Sequence, residues 1–527
     1  MARSVRKFSF LKSWYGVYIL TLFGCLPFLL SFIWGNHDWG WVKEGTPLFS
    51  GVFEGRFSQF ILPILLFSGN ILPVFSTALG LAFLSGTAII LLKLWQVPQK
   101  YIFYILLGLN ITLAPYTISW FYFAFIVLSC LSWTFIVALG FYLPTINYLN
   151  KKLAFILSIL LFTLALGGYP PSINMIGVIF CTLILKDISS TKPTLKTLIL
   201  KNIPYAITIL GAIFIFLFIQ YALKIQHLQY NTYNTANIEL SSLPAKILPC
   251  LKISLQQFIN TTSFIDGFYK YSLLALCLLA LTTLYRDIQK NYILIACSVL
   301  VILILLIASI STTLAAKNTQ YVFFEPRIEF FSLPYIYTFA ASILLCSKKQ
   351  SFRNITLLIL TLILFHNIYT MSYAAKIWNF GFKAETNLSE RIVSRIENHP
   401  NFINQDNFYT FVQGDAISIR KKYHLPKPNE SVDSFTVTAP YIPWHLPTKT
   451  YTFYYPNNFI EKDYDVYWRF VPFYDIPYTA GLEHYINEKA IAWPHQNALY
   501  IDSSLIILTM SKNGEIYAKQ WLNNYNR

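Results

Sequence analysis

The sequence predicts a polytopic α-helical membrane protein, with about eleven transmembrane helices and a small extramembrane α+β domain at the C-terminal end. Three observations carry that expectation. Of the 527 residues 55% are hydrophobic and only 12% charged, well outside the soluble norm. Apolar runs recur from Trp14 to Tyr373, many of them near the roughly 20 residues that cross a hydrocarbon core. Beyond about Ala374 the composition turns polar and Tyr-rich, which marks a domain boundary. The expected division is a transmembrane part over 1–373 and an α+β part over 374–527.

Taken in order, residues 1–13 carry Arg3, Arg6, Lys7 and Lys12 ahead of the first run, Trp14 to Trp34. The length of that run and the lack of a small-residue cleavage site favour an uncleaved first helix over a signal peptide. Further spans are expected at roughly 71–95, 101–115, 119–143, 152–169, 171–186, 203–224, 270–286, 292–312, 331–346 and 353–373. Phe57 to Phe67 is too short to cross and contains Pro63, so it reads as an interfacial segment. Leu248, Leu251, Leu255, Phe258 and Ile259 recur at helical spacing opposite Lys246, Lys252, Gln256 and Asn260, the pattern of an amphipathic helix lying on the outer surface. In the C-terminal part, Asn387 to Asn398 reads as a capped amphipathic helix. Leu505–Met510 and Glu515–Trp521 flank Asn513-Gly514, a hairpin signal.

The net charge of +16 is not a nucleic-acid footprint. Beyond Met371 the basic and acidic residues balance, so the excess lies in the connections between apolar runs, where it orients helices. With the N-terminus cytoplasmic, the inside connections hold Lys100, Lys151, Lys152, Lys186 to Lys201, Arg286, Lys290, Lys348, Lys349 and Arg353. The turns near Ala114–Tyr116 and Gly167–Pro171 hold no Lys or Arg. An odd number of spans then puts residues 35–56, 225–269, 311–330 and the C-terminal domain on one outer side. Of the seven Cys all but Cys250 lie in apolar runs, and none has metal-ligand or CxxC spacing.

Chemistry is sought by elimination, because residues 1–373 contain only nine acidic side chains. Asp187 and Asp287 fall in cytoplasmic connections; Asp38, Glu44, Glu54, Glu239, Asp266, Glu325 and Glu329 fall outside. The loop GNHDWGWVKEGTPLFSGVFEGR gathers Asp38, Glu44 and Glu54 at the membrane surface, where carboxylates are expensive and suggest function. Asp38, one turn beyond the first helix and among aromatic residues, is the first candidate for a general base, and Glu44 the second. Arg327 is the first candidate to grip a phosphate by two parallel hydrogen bonds, with interfacial anchoring as its alternative role. Lys43 and Arg56 are further phosphate candidates, and Lys317 and Glu325 share the Arg327 loop. His37 beside Asp38 reads as a local hydrogen-bonding pair. No P-loop, dinucleotide fingerprint, HExxH or GxSxG occurs, so neither a cofactor nor a metal is implied.

In its order of parts the chain resembles the serotype-converting O-antigen glucosyltransferases of bacterial inner membranes, which have the GT-C architecture. The likeness rests on the acidic loop ending in Gly55-Arg56, the apolar stretch after it, the break at Ala114-Pro115-Tyr116, a second break at Tyr169, and Pro326-Arg327 ahead of a late helix. It covers roughly residues 10–373. This chain has Asp38-Trp39 where such loops often carry paired acids, and Pro170 where Gln often follows the Tyr. The resemblance implies transfer of a hexose, glucose first, from undecaprenyl phosphate to a periplasmic glycan such as O-antigen. The implied partners are the lipid-linked donor, a lipid-linked or polymeric glycan acceptor and membrane lipids, and Tyr116 and Tyr169 become candidate site residues. A lipid-linked-glycan flippase and a non-catalytic scaffold with a periplasmic binding domain are the rival expectations. A flippase would be expected to show buried ionisable residues or matched broken helices near mid-membrane.

Overall fold

The computed structural model describes residues 10–31, 56–121, 123–227, 243–261, 264–289, 291–312 and 326–401, and beyond them 409–413, 452–454, 484, 495–501 and 505–509. The chain divides into two compact units, Met1–Ala375 and Lys376–Arg527.

The first unit is a helical bundle. Its helices are α1 (Phe10–Gly24), α2 (Leu26–Ser31), α3 (Ile61–Phe67), α4 (Pro73–Leu94), α5 (Tyr101–Thr112), α6 (Ile118–Phe121), α7 (Ala124–Tyr142), α8 (Lys151–Gly168), α9 (Ser172–Thr191), α10 (Leu195–His227), α11 (Leu243–Gln257), α12 (Gly267–Ile288), α13 (Tyr292–Ala308), α14 (Pro326–Glu329), α15 (Leu333–Cys346) and α16 (Gln350–Glu397). Among the described residues eight helices are long and apolar enough to cross a membrane. The count is nine if α5 and the Pro115–Phe121 segment, bent by 42°, form one span. The chain is a polytopic membrane protein. Three of the eleven expected spans are not single helices of that length: the first run breaks at Cys25 ahead of Pro27, α5 has 12 residues and passes only with the bent segment after it, and α13 is 17 residues long.

Without water to satisfy them, backbone groups of an apolar segment must pair within it, which is why these runs are helical. The ends are set locally. Asn150, Asp266 and Asn291 cap α8, α12 and α13, accepting from the backbone N–H of Lys152 at 2.9 Å, Tyr269 at 3.0 Å and Leu294 at 3.1 Å. Tyr169, extended at φ −153°, stops α8 just before Pro170-Pro171. Between helices, small and hydroxylated residues permit close packing: Thr21 meets Thr112 at 2.6 Å and Thr87 meets Thr134 at 2.9 Å. Ser158 donates to the Gly140 carbonyl at 2.6 Å. The outer surface stays apolar; on α10, Ile203, Ile207, Leu210, Phe214 and Phe218 form an exposed stripe at helical spacing.

Three local expectations need adjusting. The 57–67 stretch packs on the bundle rather than only lying beside it: Ser58 N–H donates to Gly167 O at 3.0 Å, its hydroxyl to Leu164 O at 2.6 Å, and Phe60 and Pro63 are buried. The amphipathic helix exists, but Leu248, Leu255 and Ile259 point away from the protein while Cys250, Ser254 and Gln257 are buried. Part of its apolar face is thus left exposed, while Phe258 packs inward together with the small polar residues. The expected helix at 387–398 has no start of its own, because α16 runs unbroken through 48 residues with no proline to interrupt it.

In the second unit the described strands are β1 (Tyr409–Gln413), β2 (Thr452–Tyr454), β3 (Leu499–Ile501) and β4 (Leu505–Thr509), in a sheet of order β2-β1-β4-β3. β1 is parallel to β2 and β4, with Thr410 opposite Phe453 and Ile506; β3 is antiparallel to β4, with Tyr500 opposite Ile507. The described hairpin therefore joins β4 to the strand before it. The Asn513-Gly514 turn lies outside the described residues.

Candidate active site

Of the residues singled out in the sequence, Asp38, His37, Lys43, Glu44, Lys317 and Glu325 lie outside the described residues. Arg56, Tyr116, Tyr169 and Arg327 are described, and they gather where several helix ends meet.

The break after α8 presents Tyr169, buried, with the Arg56 guanidinium 5.2 Å above its ring. Trp120 meets Tyr169 edge-on at 5.2 Å and Phe331 stacks on it at 5.4 Å. Trp120 also contacts Phe330 at 5.9 Å and Phe331 at 6.0 Å. Arg327, half-buried in the turn just before those phenylalanines, lies 4.7 Å over the ring of Phe123. The negative face of an aromatic ring attracts a cation held over it in this way.

Glycine makes this approach possible. A Cβ on Gly167 would fall on the ring of Phe57, and one on Gly168 on the indole of Trp133. The end of α8 therefore admits Phe57 at Gly167 and Trp133 of α7 at Gly168 because neither residue carries a side chain.

Tyr116 lies deeper. It is fully buried, edge-on to Tyr269 at 6.0 Å, and its ring faces the Lys270 ammonium at 5.3 Å. Lys270 Nζ stands 3.4 Å from Glu329 Oε2, with side-chain exposures of 1% and 7%, and also donates to the Gln257 carbonyl. The hydroxyls of Tyr116 and Tyr337 lie near each other, and Trp120 Nε1 has no hydrogen-bond partner among the described residues.

Sequence reading missed Lys270 and Trp120, and counted Glu329 only among the outer acids. A weak signal for Lys270 is present: it is a cation at the outer end of an expected span, where the positive-inside bias disfavours one. Glu329 stands two residues from Arg327. Nothing in the hydropathy pattern pairs them. Elsewhere Asp266 caps α12, and its Oδ1 lies 3.1 Å from His366 Nε2. No group of three His, Cys, Asp or Glu able to hold a metal ion occurs among the described residues.

The second unit has a cavity of about 1020 Å³ lined by residues that include Arg391, Arg395, His399, Asn401, His484 and Tyr500. Burial holds the His399 imidazole below its ordinary range.

The model of the family described as Glucosyl transferase GtrII matches residues 47–345, more than half of the 527 residues. The match takes in Arg56, Tyr116, Tyr169, Lys270, Arg327 and Glu329; Asp38, Lys43 and Glu44 precede it. No curated protein matches the chain. On that match, and with its bundle of apolar helices, the chain belongs to the GtrII glucosyltransferase family.

Proposed function

We propose that this membrane glycosyltransferase moves a hexose, glucose first, from undecaprenyl phosphate to a periplasmic glycan such as O-antigen, in the bacterial inner membrane. The observation that carries the reading is that Arg56 lies over Tyr169 of the Trp120–Tyr169 aromatic pair, while Arg327 lies over Phe123, three residues beyond Trp120. A lipid-phosphate donor needs cations at the leaving phosphate, an apolar route for its tail and a carboxylate for the acceptor hydroxyl's proton. Arg327, with Arg56 or Lys43, stabilises the departing phosphate, and the indole and tyrosine rings suit the apolar face of a sugar. Asp38 accepts the proton, with Glu44 next in line. The site and the C-terminal domain face the periplasm on this reading. A flippase would use buried charge near mid-membrane; the buried Lys270 is instead the fourth residue of α12 and so belongs to the helix end.

The test is turnover of undecaprenyl-phosphate glucose with a lipopolysaccharide acceptor, by purified protein in nanodiscs. Asp38→Asn keeps size and removes the basic oxygen, so turnover falls by about 10²–10⁴-fold while donor binding persists. Near-parental turnover in that variant removes Asp38 from the role and passes it to Glu44.

A further inference from the structure

Lys270 and Glu329 form a buried ion pair that the proposed chemistry does not use. Taking two charges out of water is expensive, and a pair of this kind is often replaceable by apolar side chains with no loss of stability. Its geometry, rather than its energy, is what needs a reason. One ammonium ties four elements together: it belongs to α12, reaches Glu329 in the turn before α15, donates to the Gln257 carbonyl at the end of α11, and faces the ring of Tyr116 after α5. The tie continues outward, because Gln257 Nε2 donates to the Ser309 hydroxyl beyond α13, and Ser254 meets Ser309 at 3.1 Å.

Glu329 sits in the same short turn as Arg327. The Phe330 N–H closes that turn on Pro326 O at 2.9 Å, and Ser332 N–H on Glu329 O at 3.0 Å. The residues that follow, Phe330 and Phe331, are the ones that pack on Trp120, and Phe331 also stacks on Tyr169. Fixing Glu329 therefore fixes both the arginine on one side and the aromatic wall on the other. We infer that Lys270 and Glu329 are positioning residues for sugar transfer: their ion pair anchors the Pro326–Ser332 turn so that Arg327 is held at the leaving phosphate. This rests on the transfer reading above.

The test compares the parental chain with Lys270→Met/Glu329→Met, which removes both charges together, and with Glu329→Gln, which keeps size and an acceptor oxygen. Unfolding temperature and kcat for undecaprenyl-phosphate glucose are measured in nanodiscs, with Arg327→Lys added to each background. The expected result is parental unfolding temperature in the double variant with kcat down about tenfold or more. Arg327→Lys, which lowers parental kcat about tenfold or more, then adds less than about threefold, because residues acting through one another are not additive. Parental kcat in either folded variant, or a full additive loss from Arg327→Lys, overturns the proposal. Failure of both variants to reach the parental unfolding temperature assigns the pair to folding alone and overturns it equally. A parental chain that does not turn over this donor takes down the transfer reading itself.

Discussion

The bundle contains two charge clusters at opposite ends of α9, and they differ in a way that bears on function. Near the C-terminal end of α9, Asp187 accepts from Lys201 at 2.7 Å and lies 3.5 Å from Lys186; the Lys201 side chain is 55% exposed. Near its N-terminal end, where Asn174 accepts from Ser311 and Thr312, the Lys270–Glu329 pair is almost wholly removed from solvent. The first cluster has a spare cation and access to water, so losing one member leaves Asp187 still paired. The second has one partner for each charge and aromatic rings on its flanks. Equal numbers of contacts would hide this distinction; what separates the clusters is how far each charge is committed to a single partner.

The largest effect expected from that contrast is on stability. Lys270→Met leaves Glu329 buried without its cation, a change that costs about 3–5 kcal/mol, read as a lowered denaturation midpoint in detergent micelles. A change under about 1 kcal/mol would mean that the pair is solvated after all and that the two clusters are equivalent. Next comes Arg327→Lys, which keeps the charge and loses the planar fork. Loss of a charge-assisted hydrogen bond costs about 1.5–3 kcal/mol, so kcat falls roughly ten- to a hundred-fold if the contact strengthens in the transition state. Equal rates would assign Arg327 to anchoring at the headgroups.

The same contrast can be sharpened at the backbone. Gly168→Ala drives a methyl group into the Trp133 indole and is expected to destabilise by about 1–3 kcal/mol. Gly211→Ala, in α10, brings its Cβ no nearer than 3.4 Å to Ile159 and is expected to be neutral or stabilising by up to about 1 kcal/mol through helix propensity. Parallel thermal melts of the two variants check this, and an equal loss would show that the Tyr169 break is no tighter than an ordinary lipid-facing helix. The smallest effect belongs to Lys201→Met, about 0.2–1 kcal/mol, because an exposed partner contributes little and Lys186 remains. A salt titration of its melting temperature sharpens the point, since the parental advantage shrinks as ionic strength rises.

Sequence by itself determined the class of molecule and the position of most helices. It could do so because hydropathy, caps and the Lys/Arg bias are local, additive signals along a chain whose solvent is a bilayer. It also read α11 as amphipathic without revealing that a third face, with Ser254 and Gln257, would be the one that packs. Only the tertiary structure decided which residues meet. Arg56 finds Tyr169 and Lys270 finds Glu329 across stretches of chain that carry no trace of the partner, because such contacts depend on the rotation and depth of whole helices. Those are fixed by packing of small residues such as Gly167 and Gly168 against Phe57 and Trp133. The physical reason is that a pattern of hydrophobicity says which residues leave water, whereas the choice among buried partners is made by steric fit and by the penalty on any charge left unmatched.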